Sequence, residues 1–386
     1  MTLLLTGATG FVGMELLARE LRDPARRVLV LIRAEDDAHA TLRLRATLRS
    51  MFGAAEPYAR RVSAIAGDLE EPGLGIDPAL AREITEIVHG AASVSFELAL
   101  ARSREVNVEG TRRMLELATR CPRLRRFTYI STAYVAGEHE GTFGEDDFDV
   151  GQRFRNPYEQ SKFEAERLVR LYAHRLPVTI VRPSIVVGDR HSGWTASFNV
   201  LYWPLRALAR GAYPLLPARR GAPVDVVSVD YVADAICALH AQPAAEGGTF
   251  HLTASAAAST IGELLDLAVR RLDCARPPLV APALYRRVIH PLALRCSGAG
   301  RRRFLRATET YLPYFAMRVH FDDARTRAAL GPAIAPAPLP DYFDRLVDYA
   351  LLAGWGTRAP GRAAALDTPP PGARERELRT VAHTRP

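Results

Sequence analysis

The stretch TLLLTGATGFVG, residues 2–13, is the most informative part of this chain. A short apolar run leads into a turn that contains Gly7, Gly10 and Gly13, and a helical pattern follows. Gly7 permits the tight turn, Gly10 lets the backbone approach a pyrophosphate, and Gly13 lets the helix pack close to the strand. The stretch therefore predicts the first strand, turn and helix of a dinucleotide-binding fold; the alternative is a glycine-rich turn without a ligand.

The same alternation of apolar runs and helical patterns continues to about residue 255. The apolar runs that we interpret as strands are 2–7, 27–33, 62–68, 86–91, 126–132, 177–183 and 249–253, and the amphipathic segments between them include 11–22, 36–52, 101–120 and 158–175. These runs lack a clean two-residue alternation, which indicates strands that are buried on both faces. The sequence therefore predicts an α/β fold, a doubly wound parallel sheet (Rossmann fold), over residues 1–255.

A mostly helical pattern follows over residues 256–355, and we interpret it as a C-terminal cap over the substrate. The segment 184–225, inside the first domain, is rich in leucine and aromatic residues. We predict that this segment lines a substrate pocket together with the cap; the alternative for each aromatic residue is ordinary helix packing. Residues 356–386 are rich in proline, alanine and arginine, so we expect a disordered tail.

The composition bears on the class of partner. The chain has an apolar fraction of 48%, a charged fraction of 24% and a net charge of +8. A positive field suits polyanionic ligands such as a dinucleotide, coenzyme A, an acidic carrier protein or an anionic membrane surface. Aromatic residues are not interleaved with the basic ones, so we predict no nucleic acid partner. Arg286, Arg287 and the run Arg301–Arg303 either contact an anionic partner or form a solvated surface.

The cysteines and the apolar runs bear on the compartment. Cys121, Cys237, Cys274 and Cys296 show no metal-binding spacing, so we expect reduced thiols and no metal site. No signal peptide precedes the strand that begins at Thr2, and no uncharged apolar run reaches the length of about 18 residues that spans a membrane. The sequence therefore predicts a cytoplasmic protein, monomeric or homodimeric, and leaves peripheral membrane contact open.

Residues at the ends of the next strands predict how a cofactor is held. Arg33 ends the second strand, where an acidic residue would select NAD, and its guanidinium fits the 2′-phosphate of NADP(H). In the alternative, Arg33 faces solvent and Glu35 or Asp36 binds the ribose. Asp68 can accept from the adenine amino group while Leu69 covers the ring. The full set of predicted cofactor-binding residues is Thr6, Gly7, Thr9, Gly10, Phe11, Val12, Gly13, Arg33, Asp68, Leu69, Ala91, Ala92, Tyr158, Lys162 and Pro183.

Lys162 is the only lysine in the chain, and the other 50 of its 51 basic residues are arginines. It follows Tyr158 by four residues, and Asn156 and Pro157 predict the start of a helix, so Tyr158 and Lys162 share one helical face. We expect the ammonium to lower the pKa of Tyr158 from about 10 toward neutrality and to make Tyr158 a general acid. The planar fork of arginine replaces a compact ammonium poorly, which explains the single lysine; the alternative is chance.

Two further positions complete the predicted catalytic set of Thr132, Tyr158, Lys162 and Asn107. Ser131 and Thr132 end the fifth strand, and because side chains alternate along a strand only one hydroxyl faces the site, which we predict to be Thr132. Asn107 lies early in a helix beside the cofactor, where it either holds a water linked to Lys162 or caps the helix. His89, near the small residues Ala91 and Ala92, is expected to be a packed core histidine.

Together these residues resemble an extended short-chain dehydrogenase/reductase over about residues 2–255, and RPSIVVGD (182–189) and SVDYVADAI (228–236) are similar to later segments of that family. A narrower resemblance, to the fatty acyl-coenzyme A reductase and thioester reductase branch (the male-sterility-type NAD-binding proteins), is carried by residues 30–48, 62–76, 87–96, 107–118 and 131–137. This resemblance implies NADPH-dependent reduction of an acyl thioester, on coenzyme A or an acyl-carrier protein, to an aldehyde or alcohol.

Three alternatives remain open. The same catalytic set serves reductases of hydrophobic ketones, aldehydes or 3-hydroxysteroid-like substrates. It also serves nucleotide-sugar epimerases and dehydratases, although segment 184–225 is too apolar to favour a sugar nucleotide. A protein that binds NADPH without turnover is less favoured, because it has no need of a proton donor such as Tyr158.

Overall fold

A parallel sheet forms the centre of a computed structural model, which describes residues 1–198, 200–358 and 360–366. The strands of the sheet are β1 (Thr2–Thr6), β2 (Arg27–Ile32), β3 (Val62–Ala66), β4 (Glu86–His89), β5 (Arg126–Ile130), β7 (Val178–Pro183) and β12 (Thr249–Leu252). The short strand pairs outside it are β6 (Gly141–Phe143) with β15 (Val319–Phe321), β8 (Ile185–Val187) with β11 (Val226–Ser228), β9 (Leu216–Pro217) with β14 (Leu279–Val280), and β10 (Pro223–Val224) with β13 (Ser259–Thr260).

The strand order of the sheet is β12-β7-β5-β4-β1-β2-β3, and every neighbouring pair is parallel. The predicted doubly wound α/β fold is therefore confirmed, and each of the seven predicted strands overlaps an observed one. The winding reverses between β1 and β4, and such a reversal opens a crevice at the carboxyl ends of the strands, where ligands bind in this type of sheet.

Helices cover both faces of the sheet. The helices are α1 (Phe11–Glu20), α2 (Asp37–Phe52), α3 (Leu100–Arg104), α4 (Gly110–Thr119), α5 (Pro157–Tyr172), α6 (Tyr202–Ala209), α7 (Val229–Ala241), α8 (Ile261–Leu272), α9 (Pro282–Leu284), α10 (His290–Cys296), α11 (Ala299–Glu309), α12 (Ala324–Leu330), α13 (Phe343–Leu352) and α14 (Arg362–Leu366). Alternate residues of β1 face opposite layers: Leu3 and Leu5 pack with α1 and α7, whereas Leu4 packs with α4 and α5. Burial on both faces explains why these strands are continuous apolar runs in the sequence.

A third apolar cluster lies outside the two layers of the sheet. It joins residues of 187–226 to α8 and α13, and Leu205, Val224, Leu265 and Leu346 are among its buried members. The segment that we expected to line a substrate pocket therefore shares one core with helices of the predicted cap.

The predicted cap is not a single unit, because β15 and α12 pack against elements of the first domain. β15 pairs in parallel with β6, and the buried carboxylate of Glu145, just after β6, accepts from the backbone nitrogens of Arg325 (2.6 Å) and Thr326 (3.1 Å) at the start of α12. Leu330, at the end of α12, joins the core that contains α7. The boundary at residue 255 thus does not separate two independent cores, because a buried carboxylate ties a later helix to the earlier domain.

The expected disordered tail is corrected over residues 360–366. Arg362 forms an ion pair with the buried Glu15, Ala365 is buried, and the Tyr349 hydroxyl donates to the carbonyl oxygen of Pro360 at 2.9 Å. These contacts fasten α14 to the molecule, while residues 367–386 lie outside the described part of the chain. In the described part, no helix combines the length and the apolar character that a bilayer span requires.

Candidate active site

The turn between β1 and α1 leaves room only for glycine. Gly7 has a φ of +77°, and a Cβ there would lie 2.9 Å from the backbone nitrogen of Ala91. A Cβ on Gly13 would lie 2.0 Å from the carbonyl oxygen of Gly7, so α1 packs directly on the turn. Gly10 is exposed, and its N–H donates to the carbonyl oxygen of Gly7 at 2.9 Å. A bare turn at a helix N-terminus fits the pyrophosphate of a dinucleotide, because the free backbone N–H groups there attract anions.

The Thr6 hydroxyl fixes this turn to the end of β4. It is buried, accepts from the backbone nitrogens of Gly90 (3.2 Å) and Ala91 (3.1 Å), and lies 2.8 Å from His89 Nδ1. The Thr6 side chain therefore supports the cofactor turn from inside the core. Of the other residues predicted here, Thr9 is exposed and Phe11, Val12, Ala91 and Ala92 are half-buried.

Arg33 is exposed at the carboxyl end of β2, and so is Glu35, whereas Asp36 and Asp37 accept hydrogen bonds from the backbone. Asp36 caps α2 by accepting from the backbone nitrogen of His39 at 2.7 Å, and Asp37 accepts from the last residue of β3 at 2.7 Å. Arg43, which the sequence did not single out, donates to the carbonyl oxygen of Arg33. The Arg43 guanidinium, on α2, therefore lies against the backbone at Arg33, the residue that we predict to bind a 2′-phosphate.

Asp68 and Leu69 occupy different environments at the end of β3. Asp68 is half-buried, and its carboxylate accepts from the backbone nitrogen of Glu70 at 3.0 Å. Leu69 is buried against α4, where a Cβ on Gly110 would lie 2.9 Å from the Cβ of Leu69. Most of Leu69 thus belongs to the core beneath the predicted adenine position.

Thr132, Tyr158 and Lys162 meet at the carboxyl ends of β5 and β7. The Asn156 side chain caps α5 by accepting from Glu159 N at 3.0 Å, which fixes the register of the helix. The Thr132 hydroxyl lies close enough to Tyr158 to lower the pKa of its phenol. Lys162 Nζ donates to the carbonyl oxygen of Ile130 at 2.7 Å.

The two hydroxyls of the Ser131–Thr132 pair face opposite directions. Thr132 Oγ1 donates to the carbonyl oxygen of Pro183, the last residue of β7, at 3.3 Å. Ser131 Oγ donates to the buried carboxylate of Glu166 at 2.6 Å, on the side away from Tyr158. The structure therefore brings Thr132, and not Ser131, to Tyr158.

The pKa values of the pair differ from the sequence expectation. Burial raises the pKa of Tyr158 to about 12, and the hydrogen bond with Thr132 opposes this rise. Burial lowers the pKa of Lys162 to about 7, and the carboxylate of Glu166 opposes this fall. The expected decrease in the pKa of Tyr158 is thus wrong for this structure, because burial raises that pKa and the Lys162 ammonium donates to Ile130 and Tyr129.

Asn107 links the loop after β4 to α5. It lies in a π-helical turn, Glu105–Glu109, between α3 and α4. Its Oδ1 accepts from Ser93 N at 2.8 Å, and its Nδ2 donates to Ser93 O at 3.0 Å and to Ser161 Oγ at 2.9 Å. Asn107 lies inside a continuous run of helix, so it is not a helix cap; its link to a water remains a prediction.

Aromatic rings that the sequence did not connect surround Tyr158. The ring of Phe96 lies 5.6 Å from that of Tyr158 and stacks on that of Tyr314 at 5.5 Å, and Tyr134 meets Tyr314 edge-on at 5.6 Å. Phe96 lies in the stretch 87–96 that carries the narrower resemblance, but no sequence signal marked Tyr314.

An apolar cavity of about 80 Å³ begins at Tyr314. Side chains of α6 and α8, including Leu205, Leu208 and Leu265, line it together with Tyr311 and Tyr314. Phe96 and Tyr314 therefore connect Tyr158, a predicted catalytic residue, to an apolar cavity.

Comparison with known proteins agrees with this geometry. The profile of a family of NAD-binding domains, described as male sterility protein, matches residues 5–236, more than half of the chain. The chain belongs to the male sterility protein family. The predicted resemblance to extended short-chain dehydrogenase/reductases, and to their thioester reductase branch, is confirmed. Membership of the male sterility protein family supports an oxidoreductase with a nicotinamide cofactor.

The curated relatives are much longer proteins. Isonitrile lipopeptide synthase of Streptomyces coeruleorubidus is 36% identical over 240 residues, which cover 58% of this chain and 16% of that protein. A non-canonical nonribosomal peptide synthetase of Aspergillus hancockii is 32% identical over 263 residues, which cover 64% of this chain and 26% of that protein. The chain therefore spans only a small part of the relatives that it matches.

Solved structures match almost the whole chain. The terminal R domain from the myxalamid PKS-NRPS biosynthetic pathway has a TM-score of 0.78 at 27% identity and covers 92% of this chain and 91% of that domain. The reductase (R) domain of a nonribosomal peptide synthetase from Mycobacterium tuberculosis has a TM-score of 0.67 at 27% identity, with 92% of each chain covered. A UDP-glucuronic acid 4-epimerase from Bacillus cereus in complex with NAD, 19% identical over 93% of this chain and 99% of its own with a TM-score of 0.65, shares the fold alone.

Proposed function

We propose that this chain reduces an acyl thioester, carried by coenzyme A or a carrier protein, to an aldehyde or alcohol with NADPH. The observation that carries this proposal is the grouping of Thr132, Tyr158 and Lys162, which Phe96 and Tyr314 connect to an apolar cavity. The likeness to reductase domains of nonribosomal peptide synthetase pathways supports a thioester substrate. Of the two carriers, that likeness favours a carrier protein.

The catalytic side chains act on the carbonyl oxygen of the substrate. Tyr158 donates a hydrogen bond to it, and the Thr132 hydroxyl turns from the Pro183 carbonyl to donate to it as well, so both stabilise the negative charge that develops there. Bound NADPH supplies a hydride to the carbonyl carbon. The carbon–sulfur bond then breaks, the sulfur takes up a proton and leaves as a thiol, and an aldehyde remains. If the aldehyde is reduced again, Tyr158 donates the proton that completes the alcohol.

The preference for NADPH rests on two arginines near the end of β2. Arg33 is exposed there, and the guanidinium of Arg43, on α2, donates to the carbonyl oxygen of Arg33, so two cationic side chains are available to a phosphate. The nearby carboxylates of Asp36 and Asp37 already accept backbone hydrogen bonds, so they compete little for a ribose. These contacts favour a cofactor with a 2′-phosphate over NAD.

The substrate class follows from the cavity. Its lining is leucine, isoleucine, valine and aromatic side chains from α6, α8 and residues 311–315, with no charged side chain among the lining residues that the structure describes. An acyl group with an apolar chain gains free energy there, whereas a sugar nucleotide would lose its hydration without compensation. The proposed substrate is therefore a thioester of an apolar acyl group.

The experiment is a turnover assay of the purified chain with NADPH and apolar acyl thioesters, on coenzyme A and on a carrier protein. The loss of nicotinamide absorbance and the release of thiol are followed together. Equal amounts indicate an aldehyde product, and NADPH oxidation at twice the thiol released indicates the alcohol. Oxidation with ketones or aldehydes, without thiol release from any thioester, would contradict the proposal and favour a carbonyl reductase.

A further inference from the structure

A group of buried polar side chains lies directly behind Lys162, and the proposed reaction does not use it. Tyr129 on β5, His89 on β4 and Thr111 on α4 are each no more than 2% exposed. Lys162 Nζ donates to Tyr129 Oη at 2.8 Å, and the Thr111 hydroxyl lies close enough to Tyr129 to lower the pKa of its phenol. His89 Nε2 lies 3.2 Å from Thr111 Oγ1. Buried polar groups of this number require a consistent set of donors and acceptors.

The direction of each hydrogen bond follows from the number of protons available. An ammonium only donates, so Tyr129 Oη accepts from Lys162. Thr111 in turn donates to the carbonyl oxygen of Asn107 at 2.7 Å. A carbonyl oxygen cannot pass a proton onward, so the chain of hydrogen bonds ends there and cannot carry protons to solvent.

His89 completes this arrangement without charge. Burial lowers the pKa of His89 to about 3, and the nearby Lys162 contributes to the decrease. The neutral ring accepts from the Thr6 hydroxyl at Nδ1 and donates from Nε2 to Thr111, which itself donates to Asn107 O. Tyr129 Oη is therefore a fixed hydrogen-bond acceptor for Lys162 Nζ.

We propose that Tyr129 is the positioning residue of Lys162: its phenol oxygen, with the Ile130 carbonyl, fixes two of the three N–H groups of the ammonium and leaves one for the reaction site. The ring of Tyr129 also lies 4.4 Å from Lys162 Nζ, which favours the charged form of the lysine. This inference rests on the proposed function only in assigning Lys162 a part in turnover. The positioning itself is a property of the chain alone.

The groups that face Lys162 define the expected pH dependence. Glu166, one turn further along α5, favours the ammonium, whereas burial opposes it and the neutral His89 contributes no charge. Tyr158 and Tyr129 are uncharged at neutral pH because burial raises the pKa of both. Burial disfavours the charged form of Lys162, so the hydrogen bond that the Tyr129 oxygen accepts is needed to keep the ammonium charged near neutral pH.

The test uses the fact that Lys162 is the only lysine. Protein labelled with ¹³C-lysine gives one lysine side-chain signal, and its pH titration by NMR reports Lys162 in the full chain. In Tyr129→Phe, we expect the titration midpoint to fall by about one pH unit, because one buried N–H of the ammonium loses its acceptor. Thr111 keeps its contacts with Asn107 and His89, so the variant leaves no other buried group unpaired.

Two further variants complete the test. Thr111→Val should lower the Lys162 titration midpoint less than Tyr129→Phe does. It removes a neighbour of the Tyr129 hydroxyl but keeps the phenol oxygen that accepts from Lys162. Tyr202→Phe, on α6, removes another buried phenol, which accepts from Gly188 N at 3.0 Å, and should leave the Lys162 titration unchanged. The upper pH limit of kcat/KM should fall in Tyr129→Phe alongside the NMR midpoint and recover at lower pH.

The outcomes separate the positioning role from the reaction. An unchanged Lys162 midpoint in both Tyr129→Phe and Thr111→Val would overturn the positioning role of Tyr129. A lowered midpoint supports that role even if the chain reduces no thioester, because the titration does not depend on turnover. Absence of turnover in the unaltered chain would count against the proposed function alone.

Discussion

At the scale of single residues, the site depends on the one lysine that the chain retains. Lys162 is 3% exposed and donates to two oxygens at the end of β5, where the five-donor fork of an arginine would not fit two fixed acceptors and a ligand. The hydroxyls of Thr132 and Tyr158 meet on the same edge. Each group has a role that its chemistry fits, and each can be removed by a single substitution.

Replacing Tyr158 by phenylalanine should remove turnover and spare cofactor binding. Loss of a general acid and oxyanion donor lowers kcat by about 10²–10⁴-fold, whereas the ring still packs on Phe96. Steady-state kinetics and NADPH titration by fluorescence measure the two effects. Tyr172→Phe, on the last turn of the same helix, is the matched control and should behave as the unaltered chain. Loss of less than about threefold in kcat for Tyr158→Phe would contradict the assignment.

Arg33→Ala should weaken NADPH binding selectively. A charge-assisted contact with a 2′-phosphate contributes about 1.5–3 kcal/mol, so the Kd for NADPH should rise by about 10- to 100-fold while the Kd for NADH changes little. Isothermal titration measures both. Arg27→Ala, exposed at the opposite end of β2, is the control. An equal loss for both cofactors would show that Arg33 does not read the phosphate.

The sequence predicted which site residues lie together within one element. It did not predict which residues from different elements the fold brings to the site. The spacing of Tyr158 and Lys162 lies within one helix, so their shared face followed from the sequence. Tyr129, Phe96 and Arg43 reach the site from other elements, and no local pattern states which way their side chains point. The pKa of Tyr158 was mispredicted for the same reason, because burial is a property of the assembled site.

At the scale of elements, the apolar runs predicted the strands because the core strands are covered on both faces. The return of α12 to the sheet could not be predicted, because it depends on the buried Glu145, which lies 180 residues before Arg325 in the chain. The joint between α5 and the segment 312–316 could not be predicted either, because it also links residues that are far apart in the sequence. Tyr314 accepts from Asn156 Nδ2 at 2.7 Å and donates to the buried carboxylate of Glu159 at 2.7 Å.

Tyr314→Phe should loosen this joint. It leaves the buried Glu159 with fewer partners, so the free energy of unfolding should fall by about 1–3 kcal/mol, and KM for the thioester should rise because the aromatic wall of the cavity moves. Urea unfolding and steady-state kinetics measure these changes. Tyr349→Phe, which loses a single hydrogen bond to Pro360, should change KM little. If Tyr314→Phe preserves both stability and KM, the proposed role of this joint is wrong.

At the scale of the whole molecule, the net charge of +8 favours an anionic form of the substrate. Screening by salt weakens attraction between exposed charges, so KM for a thioester on coenzyme A or an acidic carrier protein should rise between low and high ionic strength. KM for the same acyl group on a short, neutral thiol should stay constant. Equal salt dependence for both would contradict a role of the positive field in substrate capture.

The most direct test of thioester reduction follows the hydride. The chain is supplied with NADPH that carries deuterium at the transferred position and with an apolar acyl thioester, and the product is analysed by mass spectrometry. We expect deuterium on the former thioester carbon and release of the free thiol, both abolished in Tyr158→Phe and unaffected in Tyr172→Phe. Product without deuterium, or deuterium transfer only to ketones with the thioester intact, would contradict thioester reduction.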